Sequence, residues 1–231
     1  MNVINKLNHF QATKTPWIIL SFTMIFLVFL GHFFFQNYLF MKPCEQCVYI
    51  RFMMIVLFFV GIVSIFSTNN YTKIIVYALA FWACYLGINY SITLDKIHLA
   101  IASHNPFAKA PSCKMIPIFP FSLPLHEYFP ELFKPTGLCG YDAPTVPKDV
   151  NISSLQEFFV GSSEGNFKNG LYSNGWFLIP SIKFMNMANA TLLCFAFTFI
   201  VLFAMFLGYL KANIFKGLVA ILLAILLIFL N

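Results

Sequence analysis

The chain has 231 residues, of which 60% are apolar and 10% charged, and 30 are phenylalanine. That composition excludes a soluble domain and points to an integral membrane protein. The formal charge of +6 comes from scattered lysines without a basic run, which argues against a nucleic-acid partner.

Residues 17–35 form the first apolar stretch, with Lys6 and Lys14 before it. It is too long for a secretory leader, and bulky Phe33, Phe34 and Phe35 stand where a small-residue cleavage site would be needed. Residues 48–66, 74–94 and 188–210 follow, each with 19 or more residues and at most one charge. About 20 residues suffice to cross roughly 30 Å of hydrocarbon. A fifth apolar run, 214–230, spans only if Lys216 snorkels to the surface. The expectation is an all-α integral membrane protein, a single membrane domain over residues 1–231. It comprises a four-helix transmembrane bundle, a fifth helix and one large outer loop, 95–187.

Lysine placement orients the bundle. With the N-terminus inside, Lys6, Lys14, Lys73, Lys211 and Lys216 are cytoplasmic, and the short first outer loop holds only Lys42. Cys44, Cys47, Cys113 and Cys139 then all face outward, which in a bacterium is the periplasm, where disulfides persist. Asn231 would also end outside.

The outer loop reads as three parts. Residues 98–113, with Asn105-Pro106 and Ala110-Pro111, should be irregular. Residues 114–133 scatter prolines among large apolar side chains and should form short helical turns in the interface, with Pro124 suited to a helix start. Residues 140–175 are rich in Gly, Ser, Asn and Asp and should be exposed and mobile, a candidate partner-facing insertion.

The chemistry gathers at Cys44-Glu45-Gln46-Cys47-Val48-Tyr49-Ile50-Arg51. Arg51 is the sole arginine. A permanent charge at the start of an apolar span is costly unless something anionic uses it. If Val48 onward is helical, Cys47 and Arg51 share a face about 6 Å apart at Cβ. A helix N-terminus and a nearby cation both lower a cysteine pKa, and Cys47 should be the more acidic of the pair. Covalent haem attachment would need histidine where Val48 stands. A four-cysteine zinc site remains open, although Cys113 and Cys139 lack knuckle spacing. So does a structural disulfide across the loop, which would stabilise by roughly 3–4 kcal/mol. Cys84 and Cys194 lie in apolar runs and read as small buried hydrophobes.

A redox relay explains more of these features. A soluble thiol donor would meet the loop pair, and electrons would pass by thiol–disulfide exchange to the juxtamembrane pair. The final acceptor must be reachable from lipid, because the chain has no dinucleotide fingerprint. A membrane quinone fits, with Arg51 stabilising charge on sulfur and on the quinone oxygen.

These residues resemble the bacterial disulfide-bond formation protein B (DsbB) family, in particular its DsbI-like branch. Cys44-x-x-Cys47-x-x-x-Arg51 is similar to the family's first-loop motif. Pro106-Phe107-Ala108 with Cys113 and Cys139 resembles the second loop, and Trp176-Phe177-Leu178 its return toward the last shared span. Ile50 departs from an acidic residue often found there, and the 140–175 insertion and fifth span are additional. The resemblance implies an inner-membrane protein-dithiol:quinone oxidoreductase using ubiquinone or menaquinone. Cys113 would be attacked by a DsbA-like partner, Cys139 would exchange with Cys44, and Cys47 would engage the quinone. Arg51 would support it, with His98 nearby. Vitamin K epoxide reductases place the loop pair before the C-x-x-C, the reverse of the order here. A transporter or assembly factor with structural disulfides is the non-enzyme alternative. It would show charged or broken spans, which this sequence lacks.

Overall fold

In the computed structural model, residues 3–66, 69–103, 113–148, 150–163 and 165–230 are described. Nearly all regular structure is helical: α1 (Val3–Ala12), α2 (Thr15–Phe29), α3 (Glu45–Phe66), α4 (Asn70–Ala102), α5 (Leu125–Tyr128), α6 (Pro130–Phe133), α7 (Ser154–Val160), α8 (Met187–Ala212) and α9 (Ile214–Phe229). One hairpin, β1 (Phe177–Ile179) and β2 (Phe184–Asn186), precedes α8. Among the described residues, four helical stretches are long and apolar enough to cross a membrane: Thr15–Tyr38, Glu45–Phe66, Tyr71–Ala102 and Met187–Leu210. The protein is therefore an all-α, multi-pass membrane protein. Helix α9, 16 residues long, reaches about 24 Å at 1.5 Å per residue, so it is apolar but short for a crossing.

The chain divides into two compact units, one of residues 1–28, 51–89 and 193–231, the other of residues 29–50 and 90–192. In the first, large apolar side chains face outward: Phe22, Phe66, Phe197 and Ile200 are each more than 60% exposed. That pattern would be an aggregation hazard in water and is what a lipid-facing surface needs. Inside, Tyr77 is fully buried, edge-on to Trp17 at 5.7 Å and against Phe206 at 5.1 Å. Trp17 Nε1 donates to the Gln11 carbonyl at 3.0 Å, so the N-terminal helix is tied to α2. Gly61 allows α3 and α2 to approach closely, because a Cβ there would strike Ser21 Oγ and the Trp17 carbonyl.

The second unit adds detail to the sequence reading and departs from it at the end of α4. Helix α4 runs to Ala102, eight residues past the expected end, so His98 is helical and not in an irregular segment. The reason is continued apolar spacing: Leu94 and Ile97 are buried, and Ile101 packs where a side chain at Gly140 would lie. Asn105-Pro106, Pro106-Phe107-Ala108, Ala110-Pro111 and Asn231 fall outside the described residues. In 114–133 the short turns are present, Pro124 stands at the N-cap of α5, and Pro120 and Pro130 take the first positions of two further turns.

The 140–175 insertion is mostly exposed or half-buried, as expected, but contains regular structure and a small core. Helix α7 has a capping box, Ser153 with Gln156, a signal written in the sequence as Ser-Ser-Leu-Gln. Val160 buries with Leu39 and Met41, ringed by Phe34, Phe35, Phe159, Tyr172 and Trp176. Gln156 Nε2 donates to the Tyr38 carbonyl at 2.9 Å. Aromatic residues spread thinly through a polar segment thus converge on one small core. Burial there pushes the Tyr172 hydroxyl pKa upward.

Gly61→Leu should weaken the α2–α3 packing by about 1–3 kcal/mol, the usual cost of overpacking a tight contact. A lowered thermal midpoint of the full-length protein in detergent would show it. An unchanged midpoint would mean the two helices can part without cost.

Candidate redox site

Pro43 leads into α3, which starts at Glu45, three residues before the expected Val48. The earlier start follows from capping. Cys44 stands just before the helix, and its Sγ accepts the Cys47 N–H at 3.2 Å, one of the donors a helix N-terminus leaves free. Cys44 and Cys47 are bonded to each other, with Cα atoms 5.0 Å apart, and both are buried. Cys113 and Cys139 form the second disulfide, Cα to Cα 5.9 Å. Cys139 is buried and Cys113 half-buried. Among the described residues the four sulfurs are thus joined in two pairs.

The structure brings the two pairs together through main-chain hydrogen bonds. The Lys114 N–H, next to Cys113, donates to Glu45 Oε2 at 2.6 Å. The Tyr49 hydroxyl donates to Glu45 Oε1 at 3.0 Å and accepts the Ile118 N–H at 2.7 Å. On the other arm, Thr136 and Gly137 each donate an N–H to the Pro43 carbonyl at 3.0 Å. Gly137 is required there, since a Cβ would collide with the Lys42 backbone. Both flanks of the Cys113–Cys139 loop are therefore fixed to the residues on either side of Cys44.

Arg51 lies one helical turn beyond Cys47 on α3 and is buried, as is Ile50. His98 is brought to Asp142, three residues after Cys139: Nε2 lies 3.0 Å from Oδ2. That pair borders a cleft of about 380 Å³ also lined by Tyr141, Asn174, Trp176 and Asn186. Cys84 and Cys194 are free thiols within α4 and α8. Sequence reasoning passed over Glu45 and Tyr49. The available signal was an acidic residue inside a C-x-x-C at the membrane edge, with a tyrosine one turn later.

The arrangement defines a class: a multi-pass helical membrane protein with two disulfides whose flanking residues are hydrogen-bonded to each other. The chain belongs to the DsbB family, since the family of disulfide bond formation protein DsbB matches residues 13–207. It is 50% identical to a DsbI of Campylobacter jejuni (strain 81-176), over 88% of this chain and 76% of the relative. A DsbI of Campylobacter fetus is 47% identical, over 88% and 91% of the two chains. The protein-disulfide oxidoreductase DsbI of Salmonella typhimurium is 42% identical, over 87% and 88%. No solved structure matches the chain. Family and relatives together make it an oxidoreductase of disulfide-bond formation.

Alkylation of the protein, denatured without reductant, should label only Cys84 and Cys194, whereas all six cysteines label after reduction. Intact-mass analysis distinguishes the two states. Labelling of Cys113 or Cys139 before reduction would contradict the second disulfide.

Proposed function

We propose that the protein takes electrons from a DsbA-like dithiol partner on the periplasmic side of the inner membrane and delivers them to a membrane quinone, ubiquinone or menaquinone. The observation carrying this reading is the fastening of the loop disulfide's two flanks to Pro43 and Glu45, around Cys44. Purely structural disulfides have no need to be neighbours.

The steps balance as thiol–disulfide exchange. A partner thiolate attacks Cys113, forming a mixed disulfide, and Cys139 leaves as a thiolate. Cys139 attacks Cys44, and Cys47 leaves. The partner's second thiolate releases Cys113 and departs oxidised. Cys113 then attacks Cys139, restoring the loop disulfide and freeing Cys44. The pair Cys44 and Cys47 now holds two electrons and two protons.

The residues present fit a quinone. Cys47 sits in the first turn of a membrane-length helix, where the helix N-terminus favours its thiolate. Arg51, buried one turn deeper, supplies a fixed cation. Gln46 Oε1, between the cysteines, is buried without a hydrogen-bond partner among the described residues, a group that a ligand hydroxyl would satisfy. When bound, a quinone supplies a two-electron, two-proton acceptor that lipid can deliver. His98, near the C-terminal end of α4, lies beside Asp142.

In a Cys139→Ser variant expressed in its native host, the free Cys113 thiolate should attack the disulfide of an oxidised soluble thiol oxidoreductase, displacing one of its sulfurs as thiolate. The mixed disulfide should accumulate, because no Cys139 thiolate remains to displace the partner from Cys113. Recovery of no such adduct would defeat the relay.

Cys44→Ser should retain a visible charge-transfer absorption between thiolate and quinone, and Cys47→Ser should lose it. The reverse result would exchange the roles of the two cysteines.

A further inference from the structure

Glu45 is 5% exposed, yet it carries a carboxylate at the edge of a membrane-length helix. Burying a carboxylate is costly unless its oxygens are well supplied with donors. Here each oxygen has one: the Lys114 N–H on Oε2 and the Tyr49 hydroxyl on Oε1. Tyr49 is itself held, stacked on Tyr90 at 4.9 Å and edge-on to Phe119 at 5.3 Å. Its hydroxyl extends the grip to the Ile118 N–H. Two side chains one turn apart on α3 therefore hold two main-chain groups of the segment that follows Cys113. The opposite arm is held by the Pro43 carbonyl, so Glu45 and Tyr49 are the part of the clamp that side-chain chemistry controls.

We propose that Glu45 is a positioning residue for electron transfer between the two cysteine pairs, with Tyr49 as its extension. This rests on the relay described above. The carboxylate fixes the segment after Cys113 beside Cys44, so that the freed Cys139 thiolate meets the Cys44–Cys47 disulfide before it meets solvent. In that step the Cys139–Cys44 bond forms and the Cys44–Cys47 bond breaks. The electron pair goes to Cys47. Glutamine cannot substitute, because it offers one acceptor oxygen where two donors converge.

The test uses the full-length protein in lipid nanodiscs, with dithiothreitol as reductant and decylubiquinone as acceptor. Rapid acid quench, alkylation and mass analysis follow the two pairs separately. In Glu45→Gln, reduction of Cys113–Cys139 should proceed within about twofold of wild type, while onward reduction of Cys44–Cys47 slows about tenfold or more. Tyr49→Phe should slow the same step less, and the double variant should be no slower than Glu45→Gln, because both act through one network. Equal slowing of both steps would reveal a merely structural residue and overturn the proposal, as would no slowing. Should Glu45→Gln not fold, Tyr49→Phe alone decides: selective slowing of the second step supports the clamp, and its absence rejects it. A wild-type protein that reduces its loop pair but never passes electrons to Cys44–Cys47 would instead sink the relay itself.

Discussion

Irregular backbone beside a membrane must find its hydrogen-bond acceptors within the protein, since lipid offers none. In the second unit those acceptors are the Pro43 carbonyl, the Glu45 carboxylate and the Tyr49 hydroxyl. Satisfying four main-chain N–H groups this way also decides where the loop disulfide lies. Structural need and chemical placement are met by the same bonds. The short helices α5 and α6 follow from it, because a proline-broken segment anchored near its start can only form brief turns before it returns to Gly137.

Capping accounts for the other half of the site. A helix that starts at Glu45 leaves free N–H groups at its end, and Cys44 Sγ takes one of them. The C-x-x-C pair is thereby placed at a helix N-terminus, where partial positive charge favours thiolates. Arg51 follows on the same helix, buried, and beyond it α3 carries no charged side chain. The cost of that burial is consistent with a group retained for its charge.

The 140–175 insertion shows how a polar-looking segment becomes part of a fold. Its composition suggests a loop, but Val146, Phe159, Phe167 and Tyr172 meet Leu39 and Met41 in one small core. The segment before α3 is thus held from two sides, by the insertion at Leu39 and by the disulfide arm at Pro43. The hairpin of β1 and β2 then delivers the chain to α8, whose start is capped by Asn186 accepting the Asn189 N–H at 2.8 Å.

Much of this was legible in the sequence, because the physics involved is local. Apolar runs of membrane length specify helices wherever the backbone cannot hydrogen-bond to solvent, and Cys47 and Arg51 fall into register on one of them by periodicity alone. The resemblance of the motifs to the DsbB family was readable for the same reason, being carried by short spacings. The length of α4 was not, since its last turns are stabilised by Ile97 and Ile101 packing near Gly140, some 40 residues away in sequence. Nor was the role open to Glu45. Its two donors come from Tyr49, one turn away, and from Lys114, 69 residues on. Which main-chain groups a buried carboxylate meets is settled by how distant segments fold back on it. Sequence therefore determined the helices and the identity of the four sulfurs, and tertiary structure alone decided that the two pairs are neighbours, because that adjacency rests on hydrogen bonds between segments remote along the chain.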